Sequence, residues 1–349
     1  MAFGSLSDRC FKALIVSAAI FAMPAAAMAQ QTVRIGQGVP TLSFLPLWTA
    51  RALDSFKAQG LTANAVVVPG GDAAALAALD AGDVDLAAVG SDTLMRAYAK
   101  GQPFQMVYSL MSKVTLDLVV APSLLERAGV APNAPLDKRL AALKGATVGV
   151  SAIGGAQEAA ARWLATKGGL DPKADIKVAQ VGNPVAIEAA LENKRIDAFV
   201  LSPPAGYIAE KAGAGKVLVS MGDDFPQLAH QPYLVLAVKK PVDAAKAELI
   251  VKTARALQAA SAALAQKPDE TAQAIQKQFF AKADPEAIVI AVKSLKSGTA
   301  DGGKIDREGV QNAITSARDI GVDFGKQFDA AGSENDLWTN SYVTDALKK

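Results

Sequence analysis

The sequence predicts an α/β protein of two similar lobes joined by two crossing strands. Three observations carry this. Residues 66–92 align without a gap on residues 178–204. In that alignment Ala74, Ala77, Ala78 and Leu79 meet Ala186, Ala189, Ala190 and Leu191, Gly70 meets Gly182, and Asp85 meets Asp197. Each copy reads as a short apolar strand, a glycine turn, a helix, and an acidic turn into a second strand. The repeat is too long for a solenoid and suits two α/β units. The second observation is that strand-length apolar runs alternate with helical patterns until residue 238. The third is that only helical periodicity follows Val242, so the tail is expected to clasp the first lobe.

In chain order, VRIGQ (33–37) is the first strand, and with a short gap it falls on TVGVS (147–151). The loop GVPTLSF leads to a helix begun by Pro46, carrying Leu47, Ala50 and Leu53 on its apolar face and ending at Gly60. Trp48 is read as core. Residues 66–68 form a strand, Asp72 caps the helix 73–79, and 86–89 is the next strand. A helix to Lys100 and a strand near 106–109 follow, and 115–121 crosses to the second lobe. There, a helix is expected at 136–143, a strand at 147–150, a helix at 156–167, then strand 178–181, helix 185–191 and strand 196–201. Residues 217–220 form a further strand and 233–238 the return crossing; helices run near 271–280, 285–294 and 307–320. The lobes are thus drawn as 30–117, 118–234 and 235–349, the last completing the first.

Composition narrows the class. The 349 residues are 51% hydrophobic, ample for two domains, and the net charge of +2 points to neither nucleic acid nor a membrane surface. Arg9 and Lys12, an apolar run at 13–23 and the sequence Ala27-Met28-Ala29 make a signal peptide, with cleavage expected after Ala29. The single cysteine, Cys10, leaves with it, so the exported chain has no thiolate nucleophile and no disulfide. His230 is the only histidine, and one histidine makes no metal cluster.

Ligands in open α/β sheets sit beyond the carboxyl ends of the strands. Here six loops occupy those ends: 40–44, 69–71 and 90–92 in lobe 1, and 151–155, 182–183 and 202–204 in lobe 2. Their Gly, Ser, Thr, Asn and Pro content offers backbone N–H groups and hydroxyls, not proton transfer. Two lobes on two crossing strands can hinge shut on a solute.

The segments VRIGQGVPTLSFLPLWTARALDSFKAQGL, VVVPGGDAAALAALDAGDVDLAAVGSD, KGATVGVSAIGGA, RIDAFVLSPPAGYIAEKAG and DLWTNSYV span nearly the whole exported chain in family order. With them the sequence resembles the periplasmic solute-binding proteins of ABC importers, in the nitrate/sulfonate/taurine group that includes the NMT1/THI5-like pyrimidine binders. The resemblance implies a type II periplasmic-binding fold, a monomer that delivers a small solute to a permease, no cofactor and no catalysis. Solutes it suggests are a sulfonate, a taurine-like zwitterion, a carboxylate or an aminopyrimidine.

Ser151, Gly154 and Gly155, in a glycine-rich turn at a helix start, are the first candidates for solute contact. The resemblance places the first ligand loop at Thr41, Ser43 and Phe44; Phe44 either stacks on a flat solute or covers the strand ends. Gly71, Ser91, Asn183 and Ser202 are candidates of the same loop kind. Asp92 suits an amine if it points inward and otherwise caps its helix. Arg96 and Arg162 fall inside helices and are read as solvated, and no arginine sits at a loop tip to clamp a sulfonate. Tyr207, Tyr233 and His230 are marginal, and Asp85 and Asp197 are read as structural. A sensor that docks on a receptor is the alternative to the transport role. An enzyme of pyrimidine synthase or desulfinase type is a further one, against which stand the absent cysteines and the absent G-x-S-x-G.

Overall fold

The computed structural model describes residues 30–38, 41–153, 155–319, 321–324, 328 and 335–348. The signal peptide expected over 1–29 and the candidate Gly154 lie outside the described residues. The chain begins with β1 (Gln31–Gln37), α1 (Leu45–Ala52), β2 (Leu61–Val67), α2 (Asp72–Ala81), β3 (Leu86–Gly90), α3 (Ser91–Ala99) and β4 (Phe104–Met111). It continues through β5 (Asp117–Val120), α4 (Pro122–Ala128), α5 (Leu136–Ala141), β6 (Thr147–Val150), α6 (Ala156–Lys167), β7 (Lys177–Gln180) and α7 (Pro184–Glu192). Next come β8 (Ala198–Leu201), α8 (Ala205–Lys211), β9 (Lys216–Ser220), α9 (Met221–Asp224) and α10 (Pro226–Ala229). The last strand, β10 (Leu234–Lys239), precedes α11 (Ala244–Gln266), α12 (Pro268–Phe279), α13 (Pro285–Lys296), α14 (Arg307–Asp319) and α15 (Ser341–Leu347).

Two five-stranded sheets result, ordered β2-β1-β3-β10-β4 and β7-β6-β8-β5-β9. The first three strands in each order run parallel, and the crossing strand in fourth place runs antiparallel to both neighbours. In lobe 1, α1, α11, α12, α13 and α15 pack on one face of the sheet and α2, α3 and α14 on the other. In lobe 2, α4, α5, α6, α9 and α10 cover one face and α7 and α8 the other. With both faces covered, β3 and β8 are buried along their whole length, which is why they read as unbroken apolar runs. Among the described residues no helix is long and apolar enough to cross a membrane.

The repeated aspartates do one job twice. Asp85 Oδ2 accepts the Arg34 backbone N–H at 2.9 Å, and Asp197 Oδ2 accepts that of Thr147 at 2.8 Å. Their own N–H groups donate to the carbonyls of the same two residues, each at 2.8 Å. Each aspartate thus ties the turn before the third strand of its lobe to the opening strand, so the structural reading holds. Asp85 has more help: Arg34 Nη2 lies 3.0 Å and Lys246 Nζ 2.8 Å from it. Desolvation raises its pKa, but the hydrogen bonds from Arg34 and Lys246 outweigh that and hold the carboxyl well below the usual range.

Two local expectations are corrected. The first helix stops at Ala52, not Gly60, because Asp54 takes a left-handed conformation (φ 53°) and a short 3₁₀ turn then leads to Gly60. Asp72 makes no cap for its own helix; its carboxylate reaches another loop, as described next. The short helices α4, α8, α9, α10 and α15 carry too few turns to show periodicity and were not anticipated.

Candidate functional site

The carboxyl ends of the parallel strands in both sheets face the junction between the lobes, and a chain of hydroxyls crosses it. Thr115 Oγ1, just ahead of β5, donates to Ser43 Oγ of lobe 1 at 3.1 Å and lies 3.1 Å from Ser202 Oγ of lobe 2. Tyr233, just ahead of β10, stands beside Thr115. Burial first, then the charges of Asp92 and Asp72, push the Tyr233 phenol well above its ordinary pKa, so it stays neutral. Two candidates from different lobes therefore meet on a threonine at the first crossing, with a tyrosine of the second beside it. Sequence had given Thr115 only a strand role, because nothing in a strand pattern marks which residue lies between two loops.

Lobe 1 ends in carboxylates. Asp72 Oδ2 accepts the Gly90 N–H at 2.7 Å, binding the loop after β2 to the loop after β3. Desolvation raises the Asp72 carboxyl to about 6, with Gly90 lowering it and the charge of Asp92 adding to the rise. Asp92 pairs with Arg96, one turn along α3, at 2.8 Å. Among the lobe 2 candidates, Asn183 Oδ1 caps α7 by accepting the Ala186 N–H at 3.0 Å, with Pro184 opening the helix. The Ser151 N–H is taken by Gln157 Oε1 at 3.1 Å, so this donor of the glycine-rich turn is already engaged. Thr41 gives its carbonyl to Trp48 Nε1 at 2.8 Å, which fixes the first loop on a core tryptophan. Phe44, 4% exposed, lies in the lobe 1 core. Gly71 precedes α2 with φ 81°, a conformation that favours glycine.

Two concavities lie side by side along α3, α6 and α14. The outer is a groove of about 550 Å³ lined by Arg96, Lys100, Gly155, Glu158 and Arg162 together with residues 321–324. The inner is a cavity of about 100 Å³ that includes Ser91, Asp92, Trp163, Gln231, Tyr233 and Ser316. Ser91, Asp92 and Gly155 are thus the candidates at a concavity; Thr41, Ser43, Phe44, Gly71, Ser151, Asn183 and Ser202 border neither. Arg96 and Arg162 line this open groove from opposite lobes, each paired with a carboxylate of its own helix, Asp92 at 2.8 Å and Glu158 at 2.6 Å. Helix period gives the face a residue occupies but not that another lobe docks there.

Ion pairs flank the junction on both sides. On one, Lys167 of α6 meets Asp319 of α14 at 2.9 Å, with Trp163 Nε1 3.4 Å from the same carboxylate. On the other, Lys211 of α8 meets Asp284 at 2.6 Å and Glu286 at 2.9 Å, at the start of α13. His230 Nε2 lies 3.1 Å from Asp306 Oδ1, within hydrogen-bond reach. Among the described residues no three His, Cys, Asp or Glu side chains gather as a metal site.

Comparisons with known proteins agree with this architecture. The sequence profile of the NMT1-like family matches residues 26–280. The putative binding protein YtlA of Bacillus subtilis (strain 168) is 23% identical over 265 residues, 76% of this chain and 75% of YtlA. The ligand-binding component of an ABC-type import system from Staphylococcus aureus, solved with zinc bound, superposes with TM-score 0.68 at 17% identity, covering 92% of this chain and 100% of that one. The periplasmic aliphatic sulphonate binding protein SsuA from Escherichia coli gives TM-score 0.62 at 18% identity, covering 83% and 85%. The fold is the two-lobed type II periplasmic-binding fold.

Proposed function

The chain belongs to the NMT1-like family, and on that premise we propose that it captures a small polar organic solute between its lobes and delivers it to an ABC permease, without catalysis. Export by the signal peptide, with cleavage after Ala29, places this monomer in the periplasm. The observation that carries the reading is the Ser43–Thr115–Ser202 hydroxyl chain, in which loops of both lobes meet on a crossing strand. This chain couples both lobes to a crossing, so a solute bound between the lobes favours one arrangement of them.

The proposed contact set is Thr41, Ser43, Phe44, Gly71, Ser91, Asp92, Ser151, Gly154, Gly155, Asn183 and Ser202, with Thr115 and Tyr233 added from the crossings. The solute classes to test are sulfonates, taurine-like zwitterions, carboxylates and aminopyrimidines.

The experiment is thermal unfolding of purified protein, unfolded and refolded to strip carried-over solute, against that panel. Saturation at 100 times Kd adds about 2.7 kcal/mol. A rise in Tm with one class, lost in Thr115→Val, supports the reading. No rise with any class, and no small molecule in the native eluate, would remove it.

A further inference from the structure

The inner cavity holds polar groups that the protein leaves unpaired. Gln231, 6% exposed, lines it with an enclosed Oε1 that has no hydrogen-bond partner. Ser316 Oγ, on the face of α14 turned to the same cavity, is in the same state. An enclosed polar atom without a partner is unfavourable, and proteins keep few of them. Among the described residues Asp92 is the only charged side chain at the cavity wall, and it is negative; none of the described lysines or arginines lines it. The remainder is largely apolar, with Ala156, Ala160, Trp163, Met221 and Leu228 coming from lobe 2.

The cavity also has a larger neighbour. On α6, Gly155, Glu158, Ala159 and Arg162 line the outer groove, while Ala156, Ala160 and Trp163 line the cavity. On α3, Asp92 borders the cavity and Arg96 the groove, and the two are joined at 2.8 Å. The groove of about 550 Å³ and the cavity of about 100 Å³ therefore lie next to each other across α3 and α6, and the cavity takes a head group of a few heavy atoms. An anionic head there would face Asp92, whose cationic partner Arg96 lines the groove and not the cavity. A head with N–H donors would satisfy Gln231 Oε1 and Ser316 Oγ and add to the partners of Asp92, with its carbon atoms against Trp163 and Met221.

We propose that the solute is recognised through a small protonated nitrogen head, an ammonium or amidinium group, seated in this chamber against Gln231, Asp92 and Ser316. The proposal rests on the solute-binding reading and names the chemical class that reading leaves open. It also moves the deep end of the site away from the six-loop line, to residues of α6 and α14 and the return crossing.

The test is calorimetric titration of the refolded protein with ethylammonium and acetamidinium chloride, against sodium propionate and ethanesulfonate as probes of similar size. The cations are expected to bind and the anions not. Gln231→Leu and Asp92→Asn should each weaken cation binding by about tenfold or more, and Ser316→Ala by less. Melting of each variant without probe checks that it is folded; should Gln231→Leu melt early, Ser316→Ala and Asp92→Asn carry the test. Binding of the anions with an affinity that Gln231→Leu and Asp92→Asn leave unchanged overturns the nitrogen head and leaves the solute-binding reading standing. Binding of neither charge class overturns this proposal, and if the wider panel also gives no Tm shift, the solute-binding reading falls with it.

Discussion

The loops after β3 and β8 hold the same place in their two sheets and are built differently. In lobe 1, Asp72 crosses from the start of α2 to the Gly90 N–H. In lobe 2 the aligned positions are Pro184 and Ser202, so no carboxylate can repeat the bond. Asn183 instead caps its own helix, where lobe 1 has Gly71. The strand clamps at Asp85 and Asp197, by contrast, are the same device twice. Duplicated parts thus keep what holds the sheet together and diverge where the lobes face each other. Divergence leaves both loop carboxylates, Asp72 and Asp92, on lobe 1.

The widest gap between the lobes is expected at the clamps. Asp85→Ala strands the Arg34 N–H and removes the partner of two cations, and should cost about 2–4 kcal/mol in urea unfolding at pH 7. Because the folded pKa of Asp85 is depressed, this contribution is present above the unfolded carboxyl value of about 4 and is lost as pH falls through the folded value. Asp72→Asn should act in the opposite sense. Its carboxyl is raised to about 6, so the folded state holds a proton that the unfolded chain has released, and stability falls as pH rises from about 4 to 6. The asparagine variant keeps an acceptor for Gly90 without that charge. It should exceed the parent by about 1–3 kcal/mol at pH 7.5 and match it at pH 4. Asp117, also raised to about 6 by burial despite the Ser220 hydroxyl at 2.7 Å, contributes to the same window, so only part of the pH slope should vanish. Asp197→Ala should cost less than Asp85→Ala, about 1–2 kcal/mol, since its one cationic partner, Arg127, is 54% exposed. Equal losses at the two clamps would break the comparison. The smallest effect belongs to Lys211→Ala across the lobe junction: a slight loss of solute affinity that high salt erases.

The repeat, the order of the elements and the structural role of the paired aspartates were legible because period and turn chemistry are local. The ends of α6 were read to the residue, since a glycine turn precedes it and Gly168 follows. The site was less legible because its contacts are distant in the chain. Ser43 to Thr115 spans 72 positions and Thr115 to Ser202 spans 87. Asp72 looked like a helix cap, which is what an aspartate before an alanine-rich run usually is; its use by Gly90 depends on two loops meeting. Gln231 and Ser316 carry no signal at all until α14 is laid against α6.

The place of the crossing strands has a consequence for how the chain is made. Lobe 2 is assembled from neighbours: β5 to β9 run without interruption from Asp117 to Ser220. Lobe 1 is not, because β10 lies between β3 and β4. Until Leu234 has emerged, both of those strands present open edges, and most of the helices that cover one face of the sheet have yet to follow. The half that comes first is therefore the half that finishes last, and the chain waits, exposed to mispairing, for its own C-terminal third.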